Sequence, residues 1–508
     1  MIKLSIIPEP VSFKIKGDCP AFILTDGVLF EGDETTENAL SDLVAFLDRV
    51  FGFISTGTGK EKIRLEISDC EPREGYSLKI EKDRILLKGN GESGLFYAVQ
   101  TLKQLIFQSE GSLPEAEITD YPRFASRGFM LDCARHFFTV DAVKQFLDMT
   151  ALHKLNEFHW HLSDDQGFRC RLESKLLLTE IGSYRSHTCW NSIPHQGYYT
   201  KSDLSEIVSY AHKKHIRVIP EINSPGHVMS MLAAYPHLAC KEKEYTVSSF
   251  FGVKEDVLCI GKESTFTFVE EVFGELAEIF TDNVIHLGGD EVPTVRFKDC
   301  PDCQRRMKEE GLTDESELCT YYLERIALHL MKKGIEVRVR DTKLENMDIC
   351  RQVTSGSASY IAKELESGSR LILSPESSCF LNLPCAVTDL EKCYGFEPLP
   401  EGVTQKGEKN LIGIEACLWT ELTDDMLKAD KATYPRLGAI CETAWSDPAK
   451  RDFSRFCDKL GSYRALLLSE GIFPDSLKNS RPRGIKKAYG KLSFKKQRLL
   501  RFSRRGKS

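Results

Sequence analysis

The stretch HLGGDEV, residues 286–292, sets Asp290 beside Glu291 behind two glycines and just after the apolar pair Val284-Ile285. Two adjacent carboxyls are the raw material of acid–base chemistry, because an anion next to a carboxylic acid keeps that acid protonated nearer neutrality. Neighbouring side chains on a strand face opposite ways, so both reach one pocket only where the strand end bends. The bland reading is a capped strand end with two solvated acids. Similar polar groups close other apolar runs: Asp132 and Arg135, His159, His161 and Asp164, Glu221, Asn223 and His227, Asp341, and Trp419 with Glu421. Two further motifs could bind a metal. His159-Trp160-His161 presents two imidazoles on one strand face with no third ligand indicated, and is read as polar support. Cys300-Pro301-Asp302-Cys303 has zinc-like spacing, but no second pair follows at a suitable distance, so a loop staple or plain thiols is the expectation and no metal or cofactor is assigned.

The elements that must position these groups change character along the chain. Before Pro122, short strand patterns (AFILTD, IRLEIS, YSLKIEKDRILLKG) precede SGLFYAVQTLKQLIFQ, where Leu95, Ala98, Leu102, Leu105 and Ile106 recur at helical spacing. Residues 1–120 are therefore expected to form a small α+β domain. From Gly128, short apolar strands alternate with helices, including Val140 to His153 and Lys201 to His215. The strands read as GFMLDCA, EFHWHLS, IRVIPEIN, VIHLGGD, IEVRVRD, RLILSP and LIGIEACLW. Repeated βα units of this kind predict an α/β fold, a (β/α)8 TIM barrel over residues 121–470, whose C-terminal strand ends share one rim. A doubly wound sheet is the alternative, and the absence of a Gly-rich phosphate loop after a strand speaks against it.

Composition bounds the rest. At 508 residues and 41% hydrophobic, the chain is globular, and no apolar run is long enough for a membrane span. Met1 to Pro8 is too short an apolar segment for a signal sequence, so a cytoplasmic location with reduced thiols is expected of the 17 scattered cysteines. The formal charge is −7, yet residues 481–508 hold twelve Lys or Arg and no acid, so the preceding residues carry −19. The expectation for residues 471–508 is a basic, partly disordered tail. Contact with nucleic acid or an anionic membrane is the lesser alternative. Helices around a barrel could also carry a homodimer interface.

Taken together and in order, RGFMLDCARHF, FHWHLSDDQGFR, IPEINSPGHV, HLGGDEV and ACLWTEL resemble the glycoside hydrolase family 20 β-N-acetylhexosaminidases, over most of the chain from Ile7-Pro8 to Trp445-Ser446. A glycosidase with separate acid and base or nucleophile needs carboxyls about 5 Å or more apart, which adjacent residues supply awkwardly. The resemblance implies a different solution, a retaining and exo-acting one, in which the substrate's own 2-acetamido oxygen attacks the anomeric carbon. It implies Glu291 as general acid and then base, and Asp290 as the group that holds the acetamide N–H. It further implies Arg135 as a clamp on sugar hydroxyls, Asp164 and His227 as supports, Trp419 as the aromatic wall, and Glu421 as an acceptor from the sugar.

The sequence departs from the family pattern in the second half of the pocket. Arg340 stands where a tryptophan is usual and Thr342 where a Glu is. Phe380 replaces the tyrosine that bonds the acetamide carbonyl, and Asn382 a nearby aspartate. Asn223 and Phe168 replace an aspartate and a tryptophan, and a wall tryptophan near Ser355-Gly356 is missing. Arg340 raises the expectation of a sulfated or otherwise anionic glycan, and Phe380 that of a substrate without the acetamide. The third alternative is a weakly catalytic glycan-binding protein.

Overall fold

The computed structural model describes residues 4–69, 72–188, 192–345 and 347–503, with the side chains of Asp18 and residues 497–503 outside the description. Eight parallel strands close into a barrel. They run Ser126–Asp132, Glu157–Asp164, Arg217–Ile222, Val284–His286, Glu336–Arg340, Cys350–Val353, Arg370–Leu373 and Leu411–Leu418. Here they are barrel strands 1 to 8. Each pairs in parallel with the next, strand 8 pairs with strand 1, and strand 3 returns to strand 2. Both faces of each strand are covered, so strands 1 and 2 are buried along their whole length.

Strand alternation then decides what fills the barrel. Glu157, His159 and His161 are two residues apart and share the inner face of strand 2, as Arg338 and Arg340 do on strand 5. The interior is consequently polar. At its lower end Arg338 bonds both Glu157 oxygens, at 2.8 and 2.9 Å. Burial alone would raise the Glu157 pKa, but Arg338 and Arg217 hold it down at about 2. Charges removed from water in this way are costly unless paired, and here each cation has its anion.

Sequence periodicity locates seven of the eight strands. Barrel strand 6, Cys350-Arg351-Gln352-Val353, escapes it: four residues, two of them polar, joined to strand 5 by a loop with no helix among its described residues.

The N-terminal domain is a six-stranded mixed sheet carrying helices Glu37–Phe51 and Gly91–Ser109. The helical spacing of Leu95, Ala98, Leu102, Leu105 and Ile106 predicts a single apolar face on the second helix. Instead it is buried almost all round, including Gln100, Lys103 and Gln104, because it packs on the sheet and on the barrel at once. Its polar groups are used internally: Gln104 bonds both the N–H and the C=O of Ile7, and Lys103 pairs with Asp42. At the domain junction, fully buried Asp120 accepts from Tyr76, Lys154 and Trp445 at 2.6 to 3.0 Å. Early and late parts of the chain also meet, for Lys459 pairs with Glu9 at 2.7 Å and Ser446 Oγ donates to the Glu9 carbonyl at 2.7 Å.

The barrel domain ends with helix Phe453–Ser469. The following basic segment, expected to be a partly disordered tail, contains a helix over Gly484–Ser503, and Lys487 on it pairs with Asp389 of the barrel domain. Its Lys, Arg, Leu and Gln content favours helix, a preference that charge counting alone overlooks. No described helix is long and apolar enough to cross a membrane.

Candidate active site

The site forms at the C-terminal rim of the barrel, and the HLGGDEV turn shows how. After strand 4 the chain passes through Gly288 and Gly289 at φ +69° and +90°. A Cβ at Gly288 would lie 2.1 Å from Asn223 Oδ1, and one at Gly289 would lie 2.7 Å from Leu323. Only glycine suits both the backbone and the space. Glu291 itself is left-handed, at φ +51°, an unusual conformation for a residue with a side chain.

This turn sends the two acids to different surroundings. Asp290 points inward, its side chain 18% exposed, and Oδ1 accepts from Arg340 Nη1 at 3.1 Å and Asn223 Nδ2 at 3.2 Å. Glu291 is 62% exposed and lies 3.5 Å from His227 Nε2. Asp290 thus shares its oxygen with a guanidinium and an amide, whereas Glu291 faces an imidazole. Thr342 Oγ1 donates to the Gly289 carbonyl at 3.0 Å and pins the turn from the next strand end.

Behind Glu291 runs a chain of alternating charges. His227 Nδ1 faces Asp164 at 3.3 Å and Asp165 at 3.4 Å, and Asp164 is clamped by Arg135 at 2.7 Å. Burial would lower the His227 pKa, but Asp164, Asp165 and Glu291 hold it well above the ordinary imidazole value. Burial works in the opposite direction on Asp164, and there Arg135 and His227 prevail, keeping it well below the usual carboxylate range. Arg135 is held by Asp132 as well, and Glu421 adds to the field around it. Asp132 also accepts from the backbone of Ala134, Arg135 and Thr420, so it fixes the loop that carries Arg135.

Trp419 forms the floor between two cations. The guanidiniums of Arg135 and Arg340 each lie 4.9 Å from its ring centre, His161 meets it edge-on at 5.1 Å, and Phe380 does so at 5.9 Å. Asn382, two residues beyond Phe380, has its Oδ1 buried without a hydrogen-bond partner among the described residues.

Arg340 is not what the sequence suggested. Its side chain is 2% exposed, and it forms a bidentate pair with Glu221 at 2.9 and 2.6 Å besides its bonds to Asp290 and to Gln352 at 3.2 Å. A cation so enclosed serves Asp290 and Glu221 and is not offered to an anionic glycan. The imidazoles beneath do bridge carboxylates. His159 lies between Glu221 and Glu415, at 2.8 and 3.0 Å, and His161 between Glu221 and Asp164, at 3.0 and 3.2 Å. Burial alone would lower the His161 pKa, but Glu221 and Asp164 push it up to about 9.

The structure therefore gathers Asp290, Glu291, Arg135, Asp164, His227, Trp419, Arg340 and Phe380 around one rim, with Glu421 near Arg135. Asp341, another strand-end acid, instead caps strand 6 by accepting from Thr354 N at 2.8 Å. Sequence reasoning underrated Asn223, Glu221 and Gln352. The first two had a signal, the strand end IPEIN, while Gln352 lies on the strand that periodicity missed.

Residues 124–448 match the glycosyl hydrolase family 20 catalytic domain, and residues 3–121 match domain 2 of the same family. The chain belongs to glycosyl hydrolase family 20, the β-hexosaminidase family. Among family 20 relatives, it is 36% identical to a β-hexosaminidase of Porphyromonas gingivalis over 78% of its own length, and spans 54%, about half, of that protein. It is 33% identical to a β-hexosaminidase of Akkermansia muciniphila, covering 78% of this chain and 84% of the relative. In three dimensions it superimposes on the family 20 exo-β-N-acetylglucosaminidase of Vibrio harveyi in complex with N-acetylglucosamine, with a TM-score of 0.84 at 27% identity. That match covers 93% of this chain and 78% of the other. A mutant Streptomyces plicatus β-hexosaminidase in complex with its GlcNAc product gives a TM-score of 0.80 at 28% identity, over 92% and 96% of the two chains. In this family 20 glycoside hydrolase the ring edge of Phe380 packs on Trp419, and the side chain carries no hydroxyl.

Proposed function

We propose that the protein removes terminal β-linked N-acetylhexosamine, GlcNAc or GalNAc, from glycans, with retention and with the substrate's acetamide oxygen as nucleophile. The observation that carries this reading is the unequal setting of the two acids. Among the described residues the two donors to Asp290 converge on Oδ1, which leaves Oδ2 to accept the acetamide N–H and to balance charge on the oxazolinium-like intermediate. Glu291, exposed and without an arginine partner among the described residues, gives its proton to the leaving oxygen and later takes one from water. An imidazolium at His227 favours the carboxylate that Glu291 becomes after that transfer. Arg135 and Glu421 receive sugar hydroxyls, and Trp419 supports the pyranose face. Phe380 supplies no donor to the acetamide carbonyl, and misplacing an internal nucleophile can cost on the order of a hundredfold.

A second reading, hydrolysis of a β-glycoside without the acetamide, draws on that missing hydroxyl. One experiment separates the two: release of aryl aglycone from β-GlcNAc, β-GalNAc, 6-sulfo-β-GlcNAc, β-Glc and β-Gal, with Glu291→Gln as blank. Cleavage restricted to 2-acetamido sugars, with Asp290→Ala nearly as damaging as Glu291→Gln, supports the proposal. Cleavage of β-Glc or β-Gal that survives Asp290→Ala overturns it.

A further inference from the structure

Away from the sugar site, the fold collects four cysteines that the sequence scatters as Cys240, Cys259, Cys300 and Cys303. The reading of Cys300-x2-Cys303 as a lone pair fails here, because its companions lie upstream, on a different strand-to-helix excursion. All four Sγ atoms lie within 4.8 Å of one another. Cys259 and Cys300 are 3.6 Å apart, and Cys303 is 3.8 Å from both Cys240 and Cys259. Four thiolates about 2.3 Å from one zinc ion stand about 3.8 Å apart along the edges of a tetrahedron. A disulfide would draw a pair to about 2.05 Å, well inside these separations.

We infer that Cys240, Cys259, Cys300 and Cys303 bind one structural zinc ion as a closed tetrathiolate site. Binding replaces four S–H bonds with four Zn–S bonds and releases four protons, with no change of oxidation state. The resulting negative charge is well placed. Cys300 caps the ten-residue helix Pro301–Glu310 and Cys303 sits in its first turn, where the positive end of the helix dipole favours thiolates. Cys259, Cys300 and Cys303 are buried, as a closed site without a water ligand requires.

The position also gives the ion a task. The excursion after strand 3 carries His227 as well as Cys240 and Cys259, and the excursion after strand 4 carries Asp290 and Glu291 as well as Cys300 and Cys303. Other contacts already draw these segments together, for Arg296 pairs with Asp256 at 2.8 Å and Arg305 donates to the Gly261 carbonyl at 3.4 Å. The zinc fastens the two loops that face each other as His227 and Glu291, without touching the substrate.

The test is metal analysis of the purified full-length chain by mass spectrometry, after gel filtration in buffer free of added metal. One zinc per chain is expected. It should fall at least tenfold in Cys259→Ser and Cys303→Ser, stay unchanged in Cys319→Ser, a buried thiol outside the cluster, and leave on titration with an organomercurial. The titration needs no variant, so a misfolded mutant does not decide the matter. A metal-free chain with four reactive thiols, or with two disulfides among these residues, overturns the inference. So does zinc that persists in both serine variants.

Discussion

Replacing Arg340 with Met tests whether this cation belongs to the protein or to the substrate. The substitution keeps volume and removes the bidentate pair with Glu221, whose side chain has no exposure. Breaking a buried pair from one side strands the other charge, at a cost of about 3–5 kcal/mol. Unfolding entropy of about 2.1 cal/mol/K per residue amounts to roughly 0.7 kcal/mol/K for a barrel of this size. The expected fall in Tm is therefore about 4–7 °C at matched scan rate, by calorimetry or intrinsic fluorescence. Adding Glu221→Gln removes that charge but also the carboxylate that His159 and His161 contact, so it should recover less than half of the loss. Meanwhile kcat falls, because Asp290 loses a donor, but the ratio of rates on β-GlcNAc and 6-sulfo-β-GlcNAc stays within about twofold. A Tm within about 1 °C of the parent, or a tenfold or greater change in that ratio, would refute the assignment of Arg340 to internal pairing.

Gly288→Ala places a methyl 2.1 Å from Asn223 Oδ1 at φ +69°. It should lower kcat/KM by about a hundredfold or more through displacement of Asp290, as single-substrate kinetics would show; near-parental activity would mean the turn is not what positions the acid. For His161, whose pKa is pushed up to about 9, the stabilisation is fully present below about 6.5 and is lost as pH rises toward 9. Wild-type stability should fall in that window by about 1.4 kcal/mol per pH unit from this group, and denaturant titrations of His161→Asn should show a flatter profile. Trp419→Ala removes the surface between Arg135 and Arg340 and should destabilise by about 3–5 kcal/mol while raising KM. An increase in KM for Trp419→Phe much smaller than that for Ala would identify the ring face as the contact.

The barrel was legible because each long strand is a short apolar run that ends in polar residues, and the rim was legible for the same reason. What failed were inferences that need a partner. A lone Arg340 reads as an available cation until Glu221, 119 residues away, is found bound to it. Cys240 and Cys300 show no regular spacing, because two separate excursions must fold before their sulfurs meet. Helix Gly91–Ser109 looked one-sided because periodicity reports the strength of an apolar face but does not count how many neighbours a helix will have. Strand 6 carries too few apolar residues to announce itself, and Gln352 was lost with it.

The contact between Glu9 and Lys459 joins residues 450 positions apart. On a ribosome adding about 5–20 residues per second, roughly 20 to 90 s separate the making of one from the making of the other. Through that interval, helix Gly91–Ser109 can have the sheet on one side but not yet the finished barrel on the other. The border near residue 121 therefore divides two sequence patterns without dividing two independent lifetimes: the part made first waits for the part made last.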